Sequence, residues 1–177
     1  MAMFDKDVGC DATLQLLSRR GTLLAGLALA IAVQPAMSRP HTGLRVLFIC
    51  QSGTAKSAIA REVFRRRARQ RGMAVTVFSR GIVLADHVSP SLRRKLAADG
   101  INPAAYPATV LERRDWQQAD IVVAFNPLPG EVRPLHLRDW SSLGSLNDDY
   151  ARARPDLDRR IEALLDEIAS DDRRASP

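Results

Sequence analysis

Residues 46–57, Val-Leu-Phe-Ile-Cys-Gln-Ser-Gly-Thr-Ala-Lys-Ser, constrain this chain more than any other stretch. An apolar run of β-type residues ends on Cys50, a short loop of small residues follows, and the residues after it take up helical spacing. A short strand that is apolar at every position suits burial on both faces, as in a parallel sheet between helix layers. Running such a strand through a tight loop into a helix gathers the loop N–H groups and the positive helix end at the strand's carboxyl terminus. This layout predicts a cradle for a tetrahedral oxyanion, with Gln51, Ser52, Gly53, Thr54 and Ala55 supplying the amides. A thiol at its base is expected to ionise near neutral pH and act as a nucleophile. Ser57 is placed to donate its hydroxyl hydrogen to that thiolate, and Lys56 supplies the positive charge.

The rest of the chain alternates in the same way. Positions 57–71 carry Ala58, Ile59, Val63, Phe64 and Ala68 at helical spacing, with Arg61, Arg65, Arg66, Arg67 and Arg69 elsewhere, and Gly72 ends the run. Residues 74–79 read as a second strand stopped by Gly81. Ser89-Pro90 opens a helix to about residue 98, with serine as N-cap and proline at the first helical position, and Gly100 stops it. A very short strand or turn is expected around 108–111, a short helix at 112–118 and a clear strand at 120–125. A weaker edge strand is expected at 132–137, where Pro134 denies it a central place. An amphipathic helix at 156–168 closes the domain, and 171–177 is a polar tail. The expectation is an α/β three-layer sandwich with a short parallel sheet of about four strands, spanning 44–170. Ligands in such folds sit at the carboxyl ends of strands, where Cys50 lies.

With 177 residues, 46% of them hydrophobic, the chain has room for one ordinary domain. The N-terminal part stands apart from it. Ser18-Arg19-Arg20-Gly21-Thr22-Leu23-Leu24 is a twin-arginine pattern leading into an uncharged run, 23–33, too short to span a bilayer comfortably. Ala30, Ala32, Ala36 and Ser38 offer small residues for cleavage. Residues 1–38 are therefore expected to be a twin-arginine signal peptide that engages the twin-arginine export machinery and delivers the domain to the periplasm. Membrane contact would come through this segment alone, as an anchor if it is not cleaved.

Its removal takes Lys6, Arg19 and Arg20 together with Asp5, Asp7 and Asp11, so the formal charge of +6 belongs to the mature domain. It also takes Cys10, leaving Cys50 as the one thiol. One thiol builds neither a disulfide framework nor a multi-cysteine metal site, and no metal or cofactor is expected. The arginines of 61–71 read as a solvated helix face, since nucleic-acid binding would call for interleaved aromatics. A basic surface still steers anions toward Cys50. His87 follows the second strand on the site's side of this topology, though its loop setting suits a surface histidine. Trp116 and Trp140 read as packing residues, with Trp140 also a candidate for the pocket rim, and Asp120 as a polar cap for its strand.

These residues resemble the low-molecular-weight protein tyrosine phosphatases and their arsenate reductase relatives, whose pattern is a strand, Cys-x-Gly-Asn-x-x-Arg-Ser, and a helix. Cys50 and Ser57 match, as do the strand at 46–49 and the helix-opening Ala58-Ile59-Ala60. Phe78-Ser79-Arg80-Gly81 is similar to the family's Ser-Ala-Gly after the second strand. Residues 89–102 are similar to its Pro-led helix ending in Gly-Ile, and Gln118-Ala119-Asp120-Ile121-Val122 to its Ala-Asp strand. Asp139-Trp140 falls where the family often has Asp-Trp ahead of its general acid. The resemblance implies a phosphate-binding loop and hydrolysis of phosphomonoesters, phosphotyrosine among them, through a Cys50 phosphocysteine.

The departures from the pattern bear on turnover. Ser52 and Gly53 replace Gly-Asn, which removes the asparagine that braces the family's loop. Lys56 replaces the arginine, and an ammonium is a point charge without the planar fork that grips two oxygens. Ser141-Ser142-Leu143-Gly144-Ser145 occupies the stretch of the family's Asp-Pro general acid, leaving Asp148 and Asp149 slightly downstream as candidates. Losing a transition-state donor or a general acid removes about 100- to 1,000-fold each. The same loop therefore also fits an oxyanion-binding module with impaired turnover. Arsenate reduction would require an external thiol. The loop is similar, too, to the phosphocysteine loop of sugar-phosphotransferase IIB proteins, which work inside the cell, against the export signal.

Overall fold

The apolar run ahead of the loop becomes an inner strand of the sheet, covered on both faces. The computed structural model describes residues 43–175, so the signal-type segment at 1–38 lies outside the described residues. The elements are β1 (Leu44–Cys50), α1 (Lys56–Gln70), β2 (Val75–Gly81), α2 (Pro90–Ala98), α3 (Arg113–Gln118), β3 (Ile121–Ala124), β4 (Leu137–Asp139) and α4 (Tyr150–Ala175), with a 3-10 turn at Pro103–Ala105. The strands form one sheet in the order β2-β1-β3-β4. Every pairing is parallel, and the register sets Cys50 beside Gly81 and Ile49 beside Ala124.

Because side chains alternate along a strand, β1 serves two cores. Val46, Phe48 and Cys50 face a large cluster with Ile59, Val63 and Phe64 of α1, Leu92 and Leu96 of α2, and Leu157, Ile161 and Leu165 of α4. Leu47 and Ile49 face a smaller cluster with Trp116 of α3, Val122 and Val132. The outcome is the expected three-layer α/β sandwich, thick on one side and thin on the other. Each fully buried large apolar side chain contributes roughly 1.5–3 kcal/mol. Trp140 belongs to the large core, its ring 6.0 Å from Phe48 and 5.8 Å from Phe125, so it packs and does not rim the pocket.

Helix ends follow local chemistry closely. Ser89 Oγ accepts the Leu92 N–H at 3.1 Å, with Pro90 at the helix start, as its sequence predicts. Gly72 and Gly100 adopt φ of 67° and 63°. They close α1 and α2 with paired bonds, Met73 N to Ala68 O at 2.9 Å and Ile101 N to Leu96 O at 2.8 Å, the Schellman arrangement. Asp120 Oδ2 accepts the Arg45 N–H at 2.7 Å, capping the sheet's lower edge.

Two expectations need correction. The edge strand forms at Leu137–Asp139, not 132–137. Val132 donates to the Pro129 carbonyl in a turn at 2.9 Å and buries its side chain in the smaller core, while Pro134 has no N–H to give a ladder. The closing helix runs Tyr150–Ala175, through Pro155 at its sixth position and through 171–175 of the segment expected to form a tail. Proline removes one helical bond there, but Tyr150, Ala153 and Leu157 are all buried against the core, and that burial carries the turn.

Candidate active site

The order β2-β1-β3-β4 places β1 where successive connections leave to opposite sides, the crevice in which parallel sheets bind ligands. Cys50 ends β1 there, 3% exposed. Two groups converge on its sulfur. The Gly53 N–H donates to Sγ at 3.2 Å, and Ser57 Oγ lies 3.0 Å away, also within 3.4 Å of the Arg80 carbonyl. An N–H donor and a hydroxyl able to donate are suited to solvating a sulfur anion.

Gly53 makes the loop's turn with φ of 72°. Any Cβ there would lie 2.9 Å from Gly81 Cα, and a Cβ on Gly81 would meet the Gly53 nitrogen at the same 2.9 Å. The two glycines thus let the loop rest on the end of β2. The Ile82 and Val83 N–H groups then hold the Cys50 and Gln51 carbonyls at 3.1 and 2.9 Å. On the opposite side Asn126, two residues past the end of β3, accepts the Gln51 N–H at 2.9 Å. The loop therefore has an asparagine brace, supplied from another strand end. The N–H groups of Ser52, Thr54 and Ala55 meet no acceptor among the described residues, and the first turn of α1 adds its own unsatisfied donors.

Above the sulfur lies a cavity of about 220 Å³. Its floor is Cys50, Gln51, Ser52, Ala55 and Lys56, and its walls are His87, Asn126 and the segment Ser145, Leu146 and Asn147. Gly53 and Thr54, also expected to bind ligand, do not line it. Thr54 Oγ1 donates to the Ala85 carbonyl at 2.8 Å. Lys56 Nζ donates to the Leu143 carbonyl at 2.6 Å. Burial pushes the Lys56 pKa below that of an ordinary lysine, the Cys50 sulfur works against that shift, and Arg160 adds to it. Its charge is thus held near the sulfur but shared with the chain ahead of α4.

Asp148 and Asp149 do not line this cavity. Asp149 Oδ1 accepts the Arg152 N–H at 3.2 Å, the bond of an N-cap at the start of α4. Asn126, Ser145 and Asn147 were missed in the sequence, although a polar residue straight after an apolar run, here the one ending at Phe125, is a signal Asn126 does carry. His87, named from topology, lies on the cavity wall while remaining exposed.

A family model described as low molecular weight phosphotyrosine protein phosphatase matches residues 45–173. The chain belongs to that family. No curated protein matches it. Among solved structures, a thioredoxin-dependent arsenate reductase of Corynebacterium glutamicum is 26% identical with a TM-score of 0.59, covering 73% of this chain and 63% of its own. A low molecular weight protein tyrosine phosphatase of Bacillus subtilis is 17% identical with a TM-score of 0.57, covering 72% and 99%. YfkJ of Bacillus subtilis is 17% identical with a TM-score of 0.54, covering 76% and 98%. The latter two likenesses speak to the fold alone. The family fold, with its strand, loop and helix around a cysteine, matches what the sequence pattern implied.

Proposed function

We propose that this chain is an exported phosphatase that hydrolyses phosphomonoesters through a phosphocysteine on Cys50. The observation that carries this reading is the pair of groups hydrogen-bonded to the Cys50 sulfur, Gly53 N–H at 3.2 Å and Ser57 Oγ at 3.0 Å, at the floor of a cavity that Lys56 also lines. The sulfur attacks phosphorus and the ester oxygen leaves with its electron pair. The free loop amides and Lys56 hold the three remaining oxygens as charge builds on them. Water then attacks the phosphocysteine, releasing inorganic phosphate and the sulfur anion. An acidic quench of the protein with para-nitrophenyl phosphate should trap one phosphoryl group per chain, and Cys50→Ser should abolish both trapping and turnover. Hydrolysis that survives Cys50→Ser sinks the assignment.

A second reading rests on the commitment of Lys56 Nζ to the Leu143 carbonyl and on the lack of a carboxylate along the described cavity wall. It is an oxyanion-binding module with impaired turnover. It expects phosphate binding with negligible hydrolysis, and recovery of hydrolysis in Lys56→Arg combined with Gly144→Asp. Arsenate reduction is a weaker third reading. Among the described residues Cys50 is the one free cysteine, so an external thiol would have to supply the electrons.

A further inference from the structure

The proposed hydrolysis requires a proton for the departing oxygen, and the carboxylates expected to give it lie off the cavity. Of the residues lining that cavity, the ionisable ones are Cys50, Lys56 and His87. Cys50 is the nucleophile in this reading, and Lys56 carries the charge that faces the phosphoryl oxygens. His87 has neither task.

Its position is unusually well defined for an exposed loop residue. The His87 N–H donates to Thr54 Oγ1 at 3.2 Å, which ties it to the phosphate-binding loop. Its carbonyl accepts from Asn147 Nδ2 on the opposite wall. Asn147 Oδ1 in turn accepts the Ser89 N–H at 3.0 Å, so one amide side chain holds the loop at two points. The backbone of His87 is thereby clamped between the loop that would hold the phosphate and the segment ahead of α4. The imidazole itself meets no hydrogen-bond partner among the described residues. A histidine fixed at its backbone, with a ring unpartnered among the described residues, lines a cavity that has the nucleophile at its floor, which suits it to proton transfer to a bound ester.

We propose that His87 is the proton donor and acceptor of the phosphatase reaction, a proposal that rests on the phosphocysteine reading above. In the first step the Cys50 sulfur forms the S–P bond as the P–O bond to the alcohol breaks. The electron pair goes to the leaving oxygen, which takes the proton of the imidazolium. In the second step a water oxygen attacks phosphorus, the neutral imidazole takes its proton, and the S–P bond breaks with its pair returning to sulfur. Phosphate leaves and His87 is again protonated.

The test compares kcat/KM, which reports phosphorylation of Cys50, for wild type, His87→Gln and Asp148→Asn on aryl phosphates of graded leaving group. The clamp uses backbone atoms of His87, so His87→Gln keeps it, and an unchanged thermal unfolding midpoint verifies the fold. A proton donor matters most when the leaving group is poor. His87→Gln should lose roughly 100-fold on phenyl phosphate and no more than about threefold on para-nitrophenyl phosphate. Equal losses on both substrates, or no loss on either, overturn the proposal. So does the steepened leaving-group dependence appearing in Asp148→Asn and not in His87→Gln, which assigns the proton to the carboxylate. Cys50-dependent hydrolysis with an unaltered dependence in His87→Gln overturns this assignment alone. Absence of Cys50-dependent hydrolysis in wild type overturns the phosphatase reading with it.

Discussion

Lys56 holds its charge where burial works against it. Loss of water lowers its pKa from 10.5, the Cys50 sulfur offsets part of that, and Arg160 adds to it. Between the lowered value and 10.5 the unfolded chain binds more protons than the folded one, so in that window stability rises with pH. Anion binding runs the other way, because the deprotonated amine no longer attracts the ligand. Sulfate, whose charge is constant there, should bind more weakly as pH rises, beginning below the ordinary lysine range. Lys56→Arg should move that loss upward, since guanidinium stays charged. Calorimetric titration with sulfate across the alkaline range checks this, and identical profiles would refute it. Gly53 offers a backbone test beside it. With φ of 72° and Gly81 Cα 2.9 Å from any Cβ, Gly53→Ala should cost about 1–3 kcal/mol in denaturant unfolding. Turnover should fall with it, because the N–H aimed at sulfur shifts.

At the scale of elements, several arginines of α1 behave differently from a solvated face, while Arg66 and Arg69 stay exposed. Arg61 is 4% exposed and donates to Glu62, to Ser79 Oγ at 3.0 Å and to the Pro103 carbonyl at 3.0 Å. Arg65 reaches Tyr106 and Glu62, and Arg66 reaches the carbonyls that end α2. Arg67 and Arg71 pair with Asp158, Glu162 and Asp166 of α4. The helix that starts after the Cys50 loop is thus clasped to its neighbours, which keeps its N-terminus at the cavity. Truncating a buried charge strands its partner, whereas an exposed pair contributes little. Arg61→Ala should cost about 3–5 kcal/mol. Arg174→Ala, which breaks only the exposed pair with Asp171, should cost no more than about 0.5 kcal/mol. Urea unfolding of both variants measures the contrast, and near-equal costs would mean the Arg61 pair is not structural. Helical spacing could show where these arginines stand around α1. It could not show that acids and carbonyls from α4, α2 and the 3-10 turn would cover them.

For the whole molecule, the outstanding question is where the domain works. The twin-arginine pattern at 18–24 and the small residues to 38 are the basis of the export proposal, and a periplasmic setting would suit a domain with one thiol and a basic surface. In a bacterium with the twin-arginine machinery, the full chain should appear in the periplasmic fraction as a shortened species. Arg19→Lys with Arg20→Lys should hold it unshortened in the cytoplasm. Periplasmic delivery of that double variant would remove the export reading and leave the site chemistry untouched.

The path from β1 through the loop into α1 was legible because it is local. Alternation in a strand, a run of small residues, a serine cap and a glycine stop all act between near neighbours in the chain. The family pattern added the wider sheet for the same reason, since each strand carries its own apolar signature. The cavity walls were decided by tertiary structure. Asn126 meets Gln51 across 75 positions, and Lys56 meets the Leu143 carbonyl across 87. No periodicity encodes contacts at such separations. By itself the sequence determined that Cys50 would end an inner strand and open a small-residue loop leading into a helix. Only the packed chain could place Asn126 and Asn147 on the cavity wall and leave Asp148 and Asp149 off it, because the parallel sheet brings distant loops to one edge and Asp149 is engaged in capping α4.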